Sequence, residues 1–204
     1  MRIDPNGTWS VQTACRVGRR LEDLDIEYFE DPAWGLEGNA AVRKAVRIPI
    51  ATNMYPNKFD DLGPAIRMGA VDIVLTDLHY WEGPRGVKDL TAICRTFNMG
   101  VAMHSGAEFG IELAAMLHTA STIPEMHAAG DAHYHFLEDD IIEGGLMQYK
   151  DGCIEVPKGP GLGVTLDEEK MDKYERYYEE KGDYYARFHQ DPRNPDWFPI
   201  VGGR

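Results

Sequence analysis

Short apolar runs alternate with amphipathic stretches along most of the chain. The apolar runs predict strands at residues 1–3, 26–30, 48–52, 71–76 and 100–104, with a weaker candidate at 126–133. In the stretches between them, apolar residues recur at intervals of three and four. This spacing predicts helices at residues 11–24, 40–47, 59–70, 87–97 and 109–122. Strand followed by helix, repeated, predicts an α/β fold with a parallel sheet built from βα units.

The pattern changes after residue 145. Residues 144–164 are rich in Gly and Pro and predict a short hairpin followed by a loop. A polar helix is predicted at residues 167–181, and an aromatic tail that contains proline follows it. We therefore predict two parts, residues 1–145 with the repeated βα units and a C-terminal extension over residues 146–204.

Composition excludes several classes of protein. The chain has 204 residues, of which 43% are hydrophobic and 27% charged, so it can bury one sizeable core. Its net charge of -13 repels phosphate backbones and anionic lipids, so we expect neither nucleic acid nor membrane as a partner. The three cysteines are an odd number without a CxxC motif, which indicates neither a disulfide framework nor a zinc site. Without a long apolar run or a signal segment, we expect a cytoplasmic protein.

Each predicted strand ends in a side chain that can bind a metal or transfer a proton. These strand-end residues are Asp4, Glu30, Asn53, Asp77, His104 and His133. They follow one another at intervals of 23 to 29 residues, close to the ~30 residues of a unit in a (β/α) barrel. Such barrels place their catalytic groups at the carboxyl ends of the strands. The spacing therefore predicts that these side chains meet at one site.

The first three strand-end residues form a set of oxygen ligands. Asp4 and Glu30 offer carboxylates and Asn53 a carboxamide oxygen, which suit Mg²⁺. No thiolate or imidazole lies at these three strand ends, which argues against zinc. Each residue taken singly fits a turn or a cap, but their recurrence in consecutive strands favours a metal site.

The next two strand-end residues suit proton transfer. Asp77 and His104 end neighbouring strands, so their side chains can meet. A carboxylate that accepts a hydrogen bond from one imidazole nitrogen fixes the tautomer and raises the basicity of the other nitrogen. We therefore predict that His104 is a general base supported by Asp77.

Six segments resemble the enolase superfamily, and within it the glucarate dehydratase-like acid sugar dehydratases. They are RIDPNG, YFEDP, IPIATNM, VDIVLTDLHYW, MHSG and VPKGPGLGV, and they lie in order between residues 2 and 164. The resemblance implies a TIM-type (β/α) barrel of which residues 1–145 hold about six units, strands three to eight. It also implies the Mg²⁺ ligands and the His-Asp dyad named above, and a substrate contact from His133.

The reaction implied by this resemblance begins at the proton alpha to a sugar-acid carboxylate. Its removal gives an enediolate, and loss of the beta hydroxyl then gives a 2-keto-3-deoxy acid. This chemistry needs a divalent cation and a base with a pKa near neutrality, and the sequence has candidates for both.

The chain departs from the family in its substrate pocket. The asparagine-rich stretch that follows the dyad histidine in the family is replaced here by residues 105–108. A carboxylate at Glu108 disfavours a second carboxylate on the substrate, so we expect an acid sugar other than glucarate, such as a monoacid. We assign substrate binding to Asn6, Ser105 and Glu108, together with His133.

A second departure is that the segments that precede the metal Asp in the family are absent. There, two barrel units with a lysine base in a KxK pattern and an N-terminal lid domain come first. Since six units alone leave sheet edges exposed, we expect these parts to come from a longer polypeptide or a partner chain. We also expect a homo-oligomer, with the C-terminal extension packed on the barrel and on the lid domain.

The sequence is also compatible with two other functions. A site with one His-Asp base can run a racemisation or epimerisation, or a cycloisomerisation. The chain can also be a non-catalytic partial barrel whose ligand-like residues are idle. Metal titration distinguishes the non-catalytic partial barrel from an enzyme. Product analysis distinguishes a racemase, epimerase or cycloisomerase from a dehydratase.

Overall fold

Five short strands lie side by side in one parallel sheet, in the order in which they follow along the chain. The strands are β1 (Arg2–Ile3), β2 (Tyr28–Glu30), β3 (Ile50–Thr52), β4 (Ile73–Thr76) and β5 (Gly100–Met103). The computed structural model describes residues 1–106 and 108–182, so Ala107 and the predicted aromatic tail lie outside the described residues. The parallel α/β fold predicted from the sequence is confirmed.

A helix follows each strand. The helices are α1 (Val11–Leu21), α2 (Gly35–Arg43), α3 (Phe59–Met68), α4 (Gly83–Thr96), α5 (Gly110–Ser121) and α6 (Glu168–Lys181), with 3-10 turns at Glu22–Leu24 and His133–Phe136. The hydroxyl of Ser10 caps α1 by accepting a hydrogen bond from the Thr13 amide. The helix predicted at 40–47 is shifted, since α2 begins five residues earlier and ends at Arg43.

The prediction of a sixth strand is wrong. Residues 126–133 form no strand, although two of their amides donate to carbonyls of β5, His127 to Val101 and Asp131 to Met103. The segment thus runs beside β5 but bonds to it at only two points. Its centre is Ala-Ala-Gly, which offers little side chain to pack on a sheet.

The strands are apolar on both faces, as in parallel sheets that are covered on both sides. One face packs with the helices in a large core that contains Phe29, Ile50 and Val74. The other face forms a smaller cluster with Tyr28, Ile73 and Leu75 on its strands. Because side chains alternate along a strand, adjacent residues such as Tyr28 and Phe29 enter different clusters. Among the described residues, no helix is long and apolar enough to cross a membrane.

The segment after residue 140 packs back on the sheet and its helices. The predicted hairpin is present as an antiparallel bridge between Lys150 and Cys153, with Asp151 and Gly152 at positive φ in its turn. The predicted polar helix is present as α6. It is anchored to Asp139, whose carboxylate accepts hydrogen bonds from Lys170 at 2.6 Å, Lys173 at 3.1 Å and the Tyr174 hydroxyl at 2.9 Å.

Candidate active site

The predicted site residues lie at the carboxyl edge of the sheet. Glu30 is the last residue of β2, and the other predicted residues of the first five units follow their strands directly: Asp4, Asn53, Asp77 and His104. Because all five strands are parallel, these positions share one edge. His133 lies in the 3-10 turn instead of at a strand end, yet its ring centroid is 6.1 Å from that of His104.

His104 and Asp77 form a hydrogen-bonded pair. The Nδ1 atom of His104 lies 2.9 Å and 3.0 Å from the two carboxylate oxygens of Asp77. Asp77 is buried, so water competes little for this contact. A carboxylate can only accept, which assigns the proton of neutral His104 to Nδ1 and leaves Nε2 unprotonated.

The charges around His104 favour its protonation. Burial alone would lower the pKa of the imidazole, but the hydrogen bond and negative charge of Asp77, with the charges of Glu30 and Asp131, raise it above its ordinary value. The Nε2 atom lies 2.7 Å from Nδ2, the side-chain amide nitrogen of Asn53. With Nδ1 carrying the proton, Nε2 accepts from that amide, so His104 is held on both sides.

The residues predicted to bind Mg²⁺ fit a divalent cation. Glu30 is only 3% exposed, and its Oε1 atom has no hydrogen-bond partner in the part of the chain that the structure describes. Burial and then the charge of Asp4 raise the pKa of Glu30 to about 8. The pKa of Asp4 is raised as well, first by desolvation. Two carboxylates that repel each other, one of them buried, are a donor set that a hard cation satisfies.

Asp31 positions Asn53 and was missed in the sequence analysis. Its buried carboxylate accepts hydrogen bonds from the Thr52 hydroxyl at 2.5 Å, the Asn53 amide at 3.0 Å and the Asn39 side chain at 3.4 Å. Burial raises the pKa of Asp31 to about 6, although these hydrogen bonds lower it. An Asp next to a strand-end Glu was the only signal, and it does not distinguish a buried support from a turn residue.

Asp131 is a second residue that the sequence analysis missed. Its negative charge contributes to the raised pKa values of Asp4, Glu30 and His104, so it adds to the negative charge of the site from the segment beside β5. Its amide donates to the Met103 carbonyl at 2.8 Å, which fixes the segment there. Its place two residues before His133 was the signal that could have found it.

A cavity of about 450 Å³ opens beside the His104 side chain. Its wall includes Asn6, Asn53, Asp77 and Glu108, whereas Asp4, Glu30 and His133 are not part of it. Two contacts hold the Glu108 carboxylate in place, since it accepts from the Ser105 hydroxyl and from the Gly106 amide. These hydrogen bonds lower the pKa of Glu108 despite the opposing effect of burial. Glu108 therefore presents a fixed negative charge to this cavity.

Asp140 joins the two loops that border the site. Its buried carboxylate accepts from the amide of Gly110 at the start of α5, at 2.9 Å, and from the hydroxyl of Tyr134. The Gly110 amide follows the loop that carries His104 and Glu108, while Tyr134 adjoins His133. A Cβ atom on Gly110 would lie 2.4 Å from an oxygen of Asp140, so the two fit only because residue 110 has no side chain.

Parallel strands that lie in sequence order and carry ionisable side chains at their carboxyl ends are typical of (β/α) barrel proteins. The chain belongs to the enolase C-terminal domain-like family, whose model matches residues 1–170. The resemblance found in the sequence is thus confirmed.

Relatives of the chain carry out more than one reaction. It is 45% identical over 171 residues to a probable glucarate dehydratase from Streptomyces coelicolor, which covers 84% of the chain and 39% of that protein. It is also 26% identical over 189 residues to a chloromuconate cycloisomerase from Cupriavidus pinatubonensis, which covers 91% of the chain and 50% of that protein. These two relatives are thus named for different reactions.

Solved structures show the same fold. The crystal structure of an enolase from Gibberella zeae, complexed with magnesium, formate and sulfate, matches with a TM-score of 0.87 and 40% identity. The match covers 97% of the chain and 47% of that structure. The chain thus spans about half the length, or less, of the relatives that it matches.

Proposed function

We propose that this protein is a Mg²⁺-dependent acid sugar dehydratase, which converts a sugar acid into a 2-keto-3-deoxy acid. The observation that supports it best is the pairing of His104 with Asp77 beside a buried Glu30 whose Oε1 atom has no partner among the described residues. A base and a site for a cation are the two components that removal of a proton alpha to a carboxylate requires.

In the proposed reaction, Nε2 of His104 removes the alpha proton. Asp77 holds the ring in the tautomer that leaves Nε2 unprotonated and stabilises the imidazolium that forms. Asp4, Glu30 and Asn53 would hold the cation. The chemistry that a bound Mg²⁺ supplies there is positive charge beside the substrate carboxylate, where a second negative charge develops. The resulting enediolate expels the beta hydroxyl as water, with protonated His104 as the acid, and the enol product becomes the 2-keto acid.

For the substrate, we propose a sugar acid with a single carboxylate. The fixed negative charge of Glu108 in the cavity wall repels a second carboxylate. Asn6, Ser105 and His133 are proposed substrate contacts, of which Asn6 lines the cavity and His133 lies close to His104. The division of the chain at residue 145, the lid domain and the homo-oligomer stay predictions.

The test is a library of sugar monoacids and diacids followed by NMR in D₂O. We expect loss of the alpha-proton signal and formation of a 2-keto-3-deoxy acid, with higher kcat/KM for a monoacid. Both should stop on removal of metal with EDTA and return with Mg²⁺. Glu30→Gln should weaken Mg²⁺ binding in calorimetry by at least about tenfold, because one anionic ligand is lost.

The outcomes separate the alternatives. Full activity after exhaustive dialysis against EDTA contradicts the metal site. Alpha-proton exchange without elimination identifies a racemase, an epimerase or a cycloisomerase instead. A chain that binds no Mg²⁺ and exchanges no proton with any acid of the library is the non-catalytic subunit.

A further inference from the structure

A second group of side chains of the types that bind metals lies at the ends of β4 and β5. One ligand atom each from Asp77, His79 and Glu108 fall within 4.8 Å of one another. Asp77 follows β4, His79 lies two residues later in the turn, and Glu108 comes from the loop after β5. None of the three belongs to the oxygen set of Asp4, Glu30 and Asn53.

Two of these three side chains are already held in place. Asp77 is 3% exposed and bonded to His104, and Glu108 is held by Ser105 and Gly106. The carboxylate of Asp77 has two oxygens and about four lone-pair sites, so one hydrogen bond does not exhaust it. The third side chain, that of His79, is exposed, and its ring centroid lies 4.2 Å from that of Tyr80.

The spacing is close to what an ion needs. Ligand atoms at about 2.1 Å from a metal lie about 3 to 4 Å apart. Because the three ligand atoms already lie within 4.8 Å of one another, a movement of about 1 Å or less by the exposed imidazole would bring them to these distances. All three side chains line the 450 Å³ cavity, which gives an ion a path from solvent.

The charge at this place favours a cation. Asp77, Glu108 and the neighbouring Glu112 are three carboxylates around one histidine. Burial and then the charge of Glu108 raise the pKa of Glu112, and the charge of Asp77 raises it further, whereas His79 lowers it. A divalent ion relieves the repulsion between the carboxylates.

We propose that Asp77, His79 and Glu108 form a second metal site, specific for a divalent transition-metal ion such as Zn²⁺. One imidazole and two carboxylates suit Zn²⁺, Co²⁺ or Mn²⁺, whereas the oxygen set suits Mg²⁺. Because Asp77 is shared, an ion here draws negative charge away from His104. If the proposed function holds, the second site is therefore inhibitory.

Calorimetric titration of the chain with Zn²⁺ in millimolar Mg²⁺ tests the site without relying on activity. We expect one Zn²⁺ to bind, and His79→Ala to weaken it at least about tenfold through loss of the only nitrogen ligand. His135→Ala removes another exposed histidine that lies outside the group and should bind Zn²⁺ as the wild type does. Glu30→Gln should also retain Zn²⁺ while it loses Mg²⁺.

Three results would overturn the proposal. They are no Zn²⁺ binding in the presence of Mg²⁺, equal binding by His79→Ala and the wild type, and loss of Zn²⁺ in Glu30→Gln. The last result means that Zn²⁺ enters the oxygen set. Because the readout is binding, failure of the dehydratase proposal leaves this test intact, and its failure leaves the dehydratase proposal intact.

Discussion

The two halves of the candidate site differ in how their charges are satisfied. At the ends of β4 and β5, the Asp77 carboxylate accepts a hydrogen bond from the His104 imidazole at 2.9 Å, so this pair forms within the protein alone. At the ends of β1 and β2, Asp4 and Glu30 repel each other, and Oε1 of Glu30 has no partner among the described residues.

The fold alone therefore forms the His104–Asp77 pair, which needs no ligand to hold its geometry, whereas the other half of the site needs one. The half that contains Asp4 and Glu30 holds buried negative charge, which is energetically costly unless a cation or a proton neutralises it. Asn53 connects the two halves, since its backbone is held by Asp31 and its side chain reaches His104.

The largest expected effect comes from His104→Asn, which removes the imidazole of the His104–Asp77 pair. We expect alpha-proton exchange and product formation to fall about 10²- to 10⁴-fold, because the proton acceptor is removed. Mg²⁺ affinity in calorimetry should stay near that of the wild type, since His104 is not a proposed ligand. His135→Asn is the matched control at an exposed histidine. Dehydration at the wild-type rate in His104→Asn would show that the dyad assignment is wrong.

A smaller effect is expected at the connection between the halves. Asp31→Asn keeps the shape of the side chain but places an NH₂ group among donors from Thr52, Asn53 and Asn39. We expect the free energy of unfolding to fall by about 1–3 kcal/mol, measured by urea denaturation, because buried donors lose their acceptor. An unchanged unfolding midpoint with unchanged Mg²⁺ affinity would mean that Asp31 does not support Asn53.

The smallest effect concerns an ion cluster outside both halves. Hydrogen bonds from Lys170, the amide of Asp140 and Lys173 lower the pKa of Asp139 in the folded protein. Its contribution to stability is therefore present above the unfolded pKa of about 3.9 and is lost as the pH falls through the lower folded value. Urea denaturation should show Asp139→Asn less stable than the wild type at pH 7, with the difference shrinking below pH 4. A difference that does not change with pH would contradict this account.

The strand-end residues could be predicted because each ends an apolar run, and a polar side chain there stands out. Parallel strands then bring such positions to one edge without any further information. The dyad of His104 and Asp77 follows from that rule, and its geometry in the structure agrees with the prediction. The assigned roles of all these residues stay predictions until they are tested in solution.

The supporting residues could not be predicted in the same way. Asp31 bonds to Thr52 and Asn53, which lie 21 and 22 positions away, and no local pattern shows that contact. The segment 126–133 was predicted as a strand because it is apolar. Whether such a segment pairs fully with its neighbour depends on packing that the pattern does not contain.

The contact between Gly110 and Asp140 limits how the sequence can change over time. A mutation that adds even a methyl group at residue 110 meets the carboxylate at 2.4 Å, while shortening Asp140 leaves the Gly110 amide and the Tyr134 hydroxyl without their acceptor. Neither position can drift alone, although they lie 30 residues apart. Among descendants of this gene, residues 110 and 140 should therefore either both be retained or change together.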